Sequence, residues 1–192
     1  MKRIAAANVL CHLVGLALGA TLMRPGSITE PLAARSAHLA THPLGWQVGW
    51  GVWMLSALAF VAFMEQVTRR EPAARLALVL GAMGASVDLL CDSVQMLVLP
   101  LAASGDAFLA WERAANAGGL VVANGLYSVA VLVAALALPG RAARAAGALT
   151  FTMGLVMVAG GLADAPSLVV LSAGPTILAY CAWVALATRE AR

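Results

Sequence analysis

Charge is what this chain has least of. Of its 192 residues, 12 are Lys or Arg and 9 are Asp or Glu, so 11% are charged, where a soluble domain carries about 25%. So few solvated side chains cannot cover a water-facing surface, and a soluble globular domain is excluded. Cysteine is also scarce. Cys11, Cys91 and Cys181 fall in three separate apolar runs without CxxC spacing, which argues against a disulfide framework or thiolate metal site and for small buried hydrophobes. GxSxG, a Walker loop and a GxGxxG opening a helix after a strand are all missing, as is an intramembrane Ser/His pairing, so no familiar catalytic signature is present. The net charge of +3 does not imply a nucleic-acid partner, because the arginines cluster at segment ends, where they set membrane topology.

What the chain has in abundance is apolar length. Hydrophobic residues make up 62%, and six apolar segments lie near 4–23, 46–66, 76–101, 108–138, 143–163 and 167–188. Each reaches about 20 residues or more, enough to cross roughly 30 Å of hydrocarbon at about 1.5 Å per residue. The predicted fold is therefore all-α: residues 1–192 form one integral membrane bundle of six transmembrane helices. The fourth segment is overlong, so its first turns project or tilt. Met1-Lys2-Arg3 before an apolar run imitates a signal peptide, but Leu18-Gly19-Ala20 is a poor small-x-small site, and no cleavage is expected.

Basic residues sort unevenly about these spans. Lys2, Arg3, Arg69, Arg70, Arg75, Arg141, Arg144, Arg189 and Arg192 fall on one side, and Arg24, Arg35 and Arg113 on the other. The positive-inside rule then predicts an N-in/C-in, multi-pass protein of a bacterial inner (plasma) membrane. In the longest outer loop, 24–45, Pro31 precedes Leu-Ala-Ala-Arg-Ser-Ala-His, which predicts a short interfacial helix with Pro at its start. Trp46, Trp50 and Trp53 follow at helical spacing, as an interfacial belt running into a packing stripe or as the wall of a ligand pocket. The pairs Gly15/Gly19, Gly45/Gly49, Gly118-Gly119 and Gly160-Gly161 point to close helix packing.

The third span carries the chemistry. Asp88, Asp92 and Gln95 share one helical face, continued inward by Gly81 and Gly84. An ionised Asp at the bilayer centre costs about 3 kcal/mol on insertion scales, so that face must meet a partner, a cavity or a proton. Counting from span centres puts His12, Asp88, Asn124, Thr152 and Thr176 at one depth, Asp92 and Asn116 one turn outward, and Gln95 level with Glu112 and Arg113. Such a seam is either a zipper, with Asp92–Asn116 and Gln95–Arg113 paired, or a cavity.

In the cavity reading Asp88 is the proton- or cation-exchanging acid. Asp92 and Asn116 shape the entrance with Glu112 and Arg113 beyond them, and His12, Asn124, Thr152 and Thr176 complete the midplane contacts. The chain then binds or transports a small solute or cation through an outward-facing polar pocket. A second reading starts from His38-x3-His42, which sets two imidazoles on one helical face, as zinc and copper sites do. With Asp92 or Glu112 as further ligands, a bound Zn or Cu would serve a membrane enzyme acting on a lipid or amphiphile. His12 is the lone intramembrane histidine, so bis-His haem ligation is excluded by count. A third reading is a non-catalytic accessory subunit whose small-residue faces dock a membrane partner or a second copy.

The segment Ala40-Thr-His-Pro43 leading into the second span, together with the Gly-rich stretch Thr152–Gly161, resembles uncharacterised bacterial polytopic membrane proteins grouped as domains of unknown function. That resemblance implies a helical membrane fold and no particular activity.

Overall fold

A computed structural model describes residues 1–190, so Arg192 of the basic tally lies outside the described residues. Six helices are long and apolar enough to cross a membrane: α1 (Lys2–Ala20), α3 (Pro43–Arg70), α4 (Pro72–Ala102), α5 (Phe108–Ala137), α6 (Arg141–Leu162) and α7 (Pro166–Glu190). Between the first two lies the short helix α2 (Leu32–Thr41), preceded by Pro31 as the sequence implied. No strand occurs among the described residues, and the chain is a multi-pass helical membrane protein.

Helix starts and stops follow local chemistry. Pro43, Pro72 and Pro166 open their helices, where a missing N–H costs nothing. Arg69 and Arg70 close α3 beside its unpaired carbonyls. The first span ends at Ala20 rather than near 23, because Thr21–Gly26 turns back and drops Met23 into the interior, where it is 5% exposed. Gly49 makes room for it: any Cβ there would overlap the Met23 side chain. Of the glycine pairs, Gly15 abuts the Trp53 ring and Gly161 abuts Val121, whereas a Cβ on Gly19 would meet nothing within 4 Å, so close packing does not explain that one.

The helices form a closed ring. Each span packs on the next, α1 on α3 and so on to α6 on α7, and α7 returns to α1. Leu10, Leu55, Leu90 and Leu136 project outward and are exposed, as lipid-facing side chains must be. At one end the interior is solid, filled by Phe63, Met64, Val67, Trp183 and Val184. Met1, Lys2, Arg70 and Thr188 share a cleft at that end, and the Gly140 N–H donates to Glu190 Oε2 at 3.0 Å. Both described chain ends and the turns 71–74 and 138–141 therefore lie together, which gathers Lys2, Arg3, Arg69, Arg70, Arg75, Arg141, Arg144 and Arg189 on one face. At the opposite end a smaller apolar cluster of Met23, Leu39, Trp46, Leu99 and Phe108 seats α2 over the ring.

Candidate functional site: a cavity inside the helix ring

Two helices of the ring depart from regular winding where the polar residues lie. In α4 a wide, π-type turn covers Val94–Val98, and in α5 another covers Ala117–Ala123. Such turns insert an extra residue per turn, release a backbone carbonyl and recur at functional sites. Side chains reach a carbonyl in each of these turns. The Trp46 indole N–H donates to the Gln95 carbonyl at 2.7 Å, and Asn124 Nδ2 donates to the Gly119 carbonyl at 2.8 Å. Gly118 lets the two helices close up, because a Cβ at that position would overlap the Cys91 sulfur.

Inside the ring, from the level of Phe60, Thr150 and Tyr180 toward the end bearing the 21–42 connection, lies a cavity of about 480 Å³. All six spans line it. From α4 come Asp88, Asp92 and Gln95; from α5, Asn116, Asn124, Tyr127 and Ser128; from α1, His12; from α7, Thr176 and Tyr180. The cavity is closed at the basic end by the apolar core, so in this state it is a blind pocket.

The contacts of each group define what it can offer. Tyr127 donates its hydroxyl to Asp88 Oδ2 at 3.1 Å. Asp92 is 2% exposed, and its Oδ2 meets no hydrogen-bond donor. Gln95 Nε2 donates to Asn116 Oδ1 at 2.9 Å, while Gln95 Oε1 is buried without a partner. His12 Nδ1 lies 2.9 Å from the Asn8 carbonyl, an acceptor only, so that nitrogen carries a proton. Asn8 Nδ2 donates to the Tyr180 hydroxyl at 2.6 Å, fixing a second tyrosine beside His12. Ring contacts then run from Trp53 to His12 at 6.2 Å, on to Tyr180 at 4.7 Å, to Phe60 at 5.7 Å and to Tyr127 at 4.7 Å. One aromatic wall therefore connects the histidine of α1 with the carboxylate of α4.

Most of the expected residues meet here, with corrections. Asp88, Asp92, Asn116, Asn124, His12 and Thr176 all line the cavity. Thr152 does not: it is exposed on the outside of α6 and donates to the Ala148 carbonyl at 2.9 Å, while Thr150 faces inward. Two residues rotate a helix by about 200°, so a depth count that is right by level is wrong by face. Glu112 is outside the cavity lining and is bound by Arg35, and Arg113 is exposed. Asn116 takes Gln95, displacing both anticipated pairs, Asp92–Asn116 and Gln95–Arg113. Thr176 does contribute, one residue after Pro175 within the continuous helix α7, and its hydroxyl donates to the Ser172 carbonyl at 2.8 Å.

Asn8, Tyr127 and Tyr180 were absent from the sequence reading. Helical spacing was the available signal: Asn8 stands four residues before His12, and Tyr127 three after Asn124. His38 and His42 stack with ring centroids 5.5 Å apart, and His42 Nδ1 sits 2.8 Å from the Thr41 hydroxyl. No group of three His, Cys, Asp or Glu side chains able to hold a metal is assembled among the described residues.

No family model, no curated protein and no solved structure matches the chain.

Proposed function

We propose that this protein binds, and in a transport cycle carries, a small solute or cation in the cavity inside its helix ring. The single observation that supports this reading is a buried, unpartnered oxygen on Asp92, a side chain that lines a cavity of about 480 Å³. Leaving a buried polar acceptor unpaired costs about 1–3 kcal/mol, and a zipper of satisfied groups would not leave both Asp92 Oδ2 and Gln95 Oε1 without a donor. The volume falls in the range of about 300–1,000 Å³ typical of small-molecule sites. Asp88, steadied by Tyr127, is the exchanging acid; Asp92 and Gln95 receive the solute's polar end. With the basic face cytoplasmic, the cavity belongs to the outer half of a bacterial inner membrane, and passage requires the apolar plug at Phe63, Met64 and Trp183 to part.

The metal-dependent reading has less support, because the His38–His42 stack gains no further ligand: Glu112 is bound by Arg35, and Asp92 lies within the ring. The test of the binding reading is substitution at the cavity. In reconstituted vesicles and in solution, Asp88→Asn and Asp92→Asn should weaken ligand-induced thermal stabilisation and solute uptake. Unchanged binding and uptake in both variants would sink the assignment.

A further inference from the structure

We propose that the cavity takes a small organic ammonium, a protonated amine whose N–H groups meet Asp92 and Gln95 and whose apolar body lies on the aromatic wall. This rests on the reading of the cavity as a binding site and narrows it to one chemical class.

The first argument is charge. Two carboxylates line the cavity and, among the described residues, no Lys or Arg does. An anionic ligand would enter against both acids and find no counter-ion. A ligand that brings its own positive charge supplies the one thing the site lacks.

The second argument is hydrogen-bond polarity. Asp92 and Gln95 are 2% and 3% exposed, and each holds a buried oxygen without a donor. They stand three residues apart in the chain, and both side chains line the cavity. The cavity hydroxyls do not help them: Ser56, Ser128, Thr150 and Thr176 each give their proton to a carbonyl of their own helix. Toward the cavity these hydroxyls present only lone pairs. Against these acceptors stand few free donors among the described residues of the lining: the Trp50 indole N–H, the Tyr180 hydroxyl proton and the Asn116 amide N–H groups. A site with surplus acceptors selects a ligand with several N–H groups.

The third argument is the wall. Trp53, Tyr180, Phe60 and Tyr127 present a connected aromatic surface leading toward Asp88. Ring faces attract cations, by about 2 kcal/mol when desolvated. They also bury an alkyl or aryl tail. A bare inorganic cation leaves this wall and most of the volume unused, and a polyhydroxylated sugar would bury hydroxyls against apolar surface.

The experiment uses the full chain in nanodiscs at neutral pH. Butyl-, hexyl- and 2-phenylethylammonium chloride are titrated against butanol, hexanol and 2-phenylethanol by calorimetry, with empty nanodiscs subtracted and sodium chloride as a further competitor. The expected result is that at least one ammonium binds about ten-fold or more tightly than its matched alcohol. In Asp92→Asn that preference should vanish, the ammonium and its matched alcohol then binding with similar affinity. The comparison within the unaltered chain stands even if the variant fails to fold. Alcohols binding as well as ammoniums, or sodium displacing the ammonium mole for mole, overturns the ammonium proposal and leaves the binding reading intact. Neither series binding overturns both.

Discussion

Arg35 Nη2 lies 2.6 Å from Glu112 Oε2, joining α2 to the first turns of α5 across 77 residues of sequence. Both side chains are nearly buried, at 12% and 5% exposure, and Arg35 also donates through Nη1 to the Glu30 carbonyl at 3.0 Å. Leu39 of the same short helix is 1% exposed beneath it. The longest connection in the chain is thus a fixed cover, held by one ion pair and one apolar anchor over the end of the ring where the cavity lies.

This pair should behave as a coupled unit. Glu112→Gln leaves a guanidinium buried with half its partners, a loss of about 3 kcal/mol for pairs of this kind. Arg35→Met should cost a similar amount, because it strands the carboxylate. The double variant Arg35→Met/Glu112→Gln should cost clearly less than the sum, since neither charge is then orphaned. Thermal unfolding of the four proteins in one detergent measures the cycle. Strict additivity would show that the contact contributes nothing.

Thr150 and Thr152 offer a test of which face of α6 looks inward. Thr150→Leu pushes a larger side chain into the cavity beside Ser128 and Met157 and should abolish small-molecule binding while the protein remains folded. Thr152→Leu, on the exposed face, should change stability by no more than about 0.5 kcal/mol and leave binding intact. Calorimetric titration of both variants decides it. The reverse pattern would mean that α6 is rotated by half a turn.

These two threonines also show how far the sequence could be read. Span number, approximate limits and the depth of each polar residue were legible, because hydropathy adds up locally and helical rise is nearly constant. Rotation about each axis was not, since it is set by packing with neighbours. The wide turns at Val94–Val98 and Ala117–Ala123 shift the register between α4 and α5, which is why Asn116 meets Gln95 instead of Asp92. The first has a local contributor, since Pro100 has no N–H to give the Gln95 carbonyl five residues before it, and the Trp46 indole meets that carbonyl instead. Tyr127 and Tyr180 read as ordinary members of apolar runs until Asp88 and Asn8 were found opposite their hydroxyls. Nothing local couples Arg35 to Glu112, which stand 77 residues apart.

Gly118 should tolerate a side chain only if Cys91 yields. A Cβ at this position overlaps the Cys91 sulfur, so Gly118→Ala forces α5 off α4 beside both acids and should cost about 1–3 kcal/mol, the usual range for overpacking. In a Cys91→Ala background the same substitution should be nearly neutral, since the missing sulfur leaves the needed volume. Melting temperatures of the single and double variants give the answer. A cost that persists without the sulfur would place the strain in the backbone of the wide turn rather than in the contact.

The orientation of the ring in the membrane follows from where the basic residues gather, and it decides from which side a solute reaches the acids. The face with Lys2, Arg69, Arg70, Arg141 and Arg144 should be cytoplasmic, because short loops rich in Lys and Arg resist translocation. Replacing Cys11, Cys91 and Cys181 gives a background in which a single new thiol reports its own side. Ala73 and Ser104 are both exposed, on opposite ends of α4. In intact cells a membrane-impermeant maleimide should label Ser104→Cys, whereas Ala73→Cys should react only after permeabilisation. Since α4 is one continuous span between them, the two results must be opposite for any transmembrane placement. Labelling of Ala73→Cys alone from outside would invert the protein and open its acids to the cytoplasm, turning an uptake site into one for export or for sensing an internal solute.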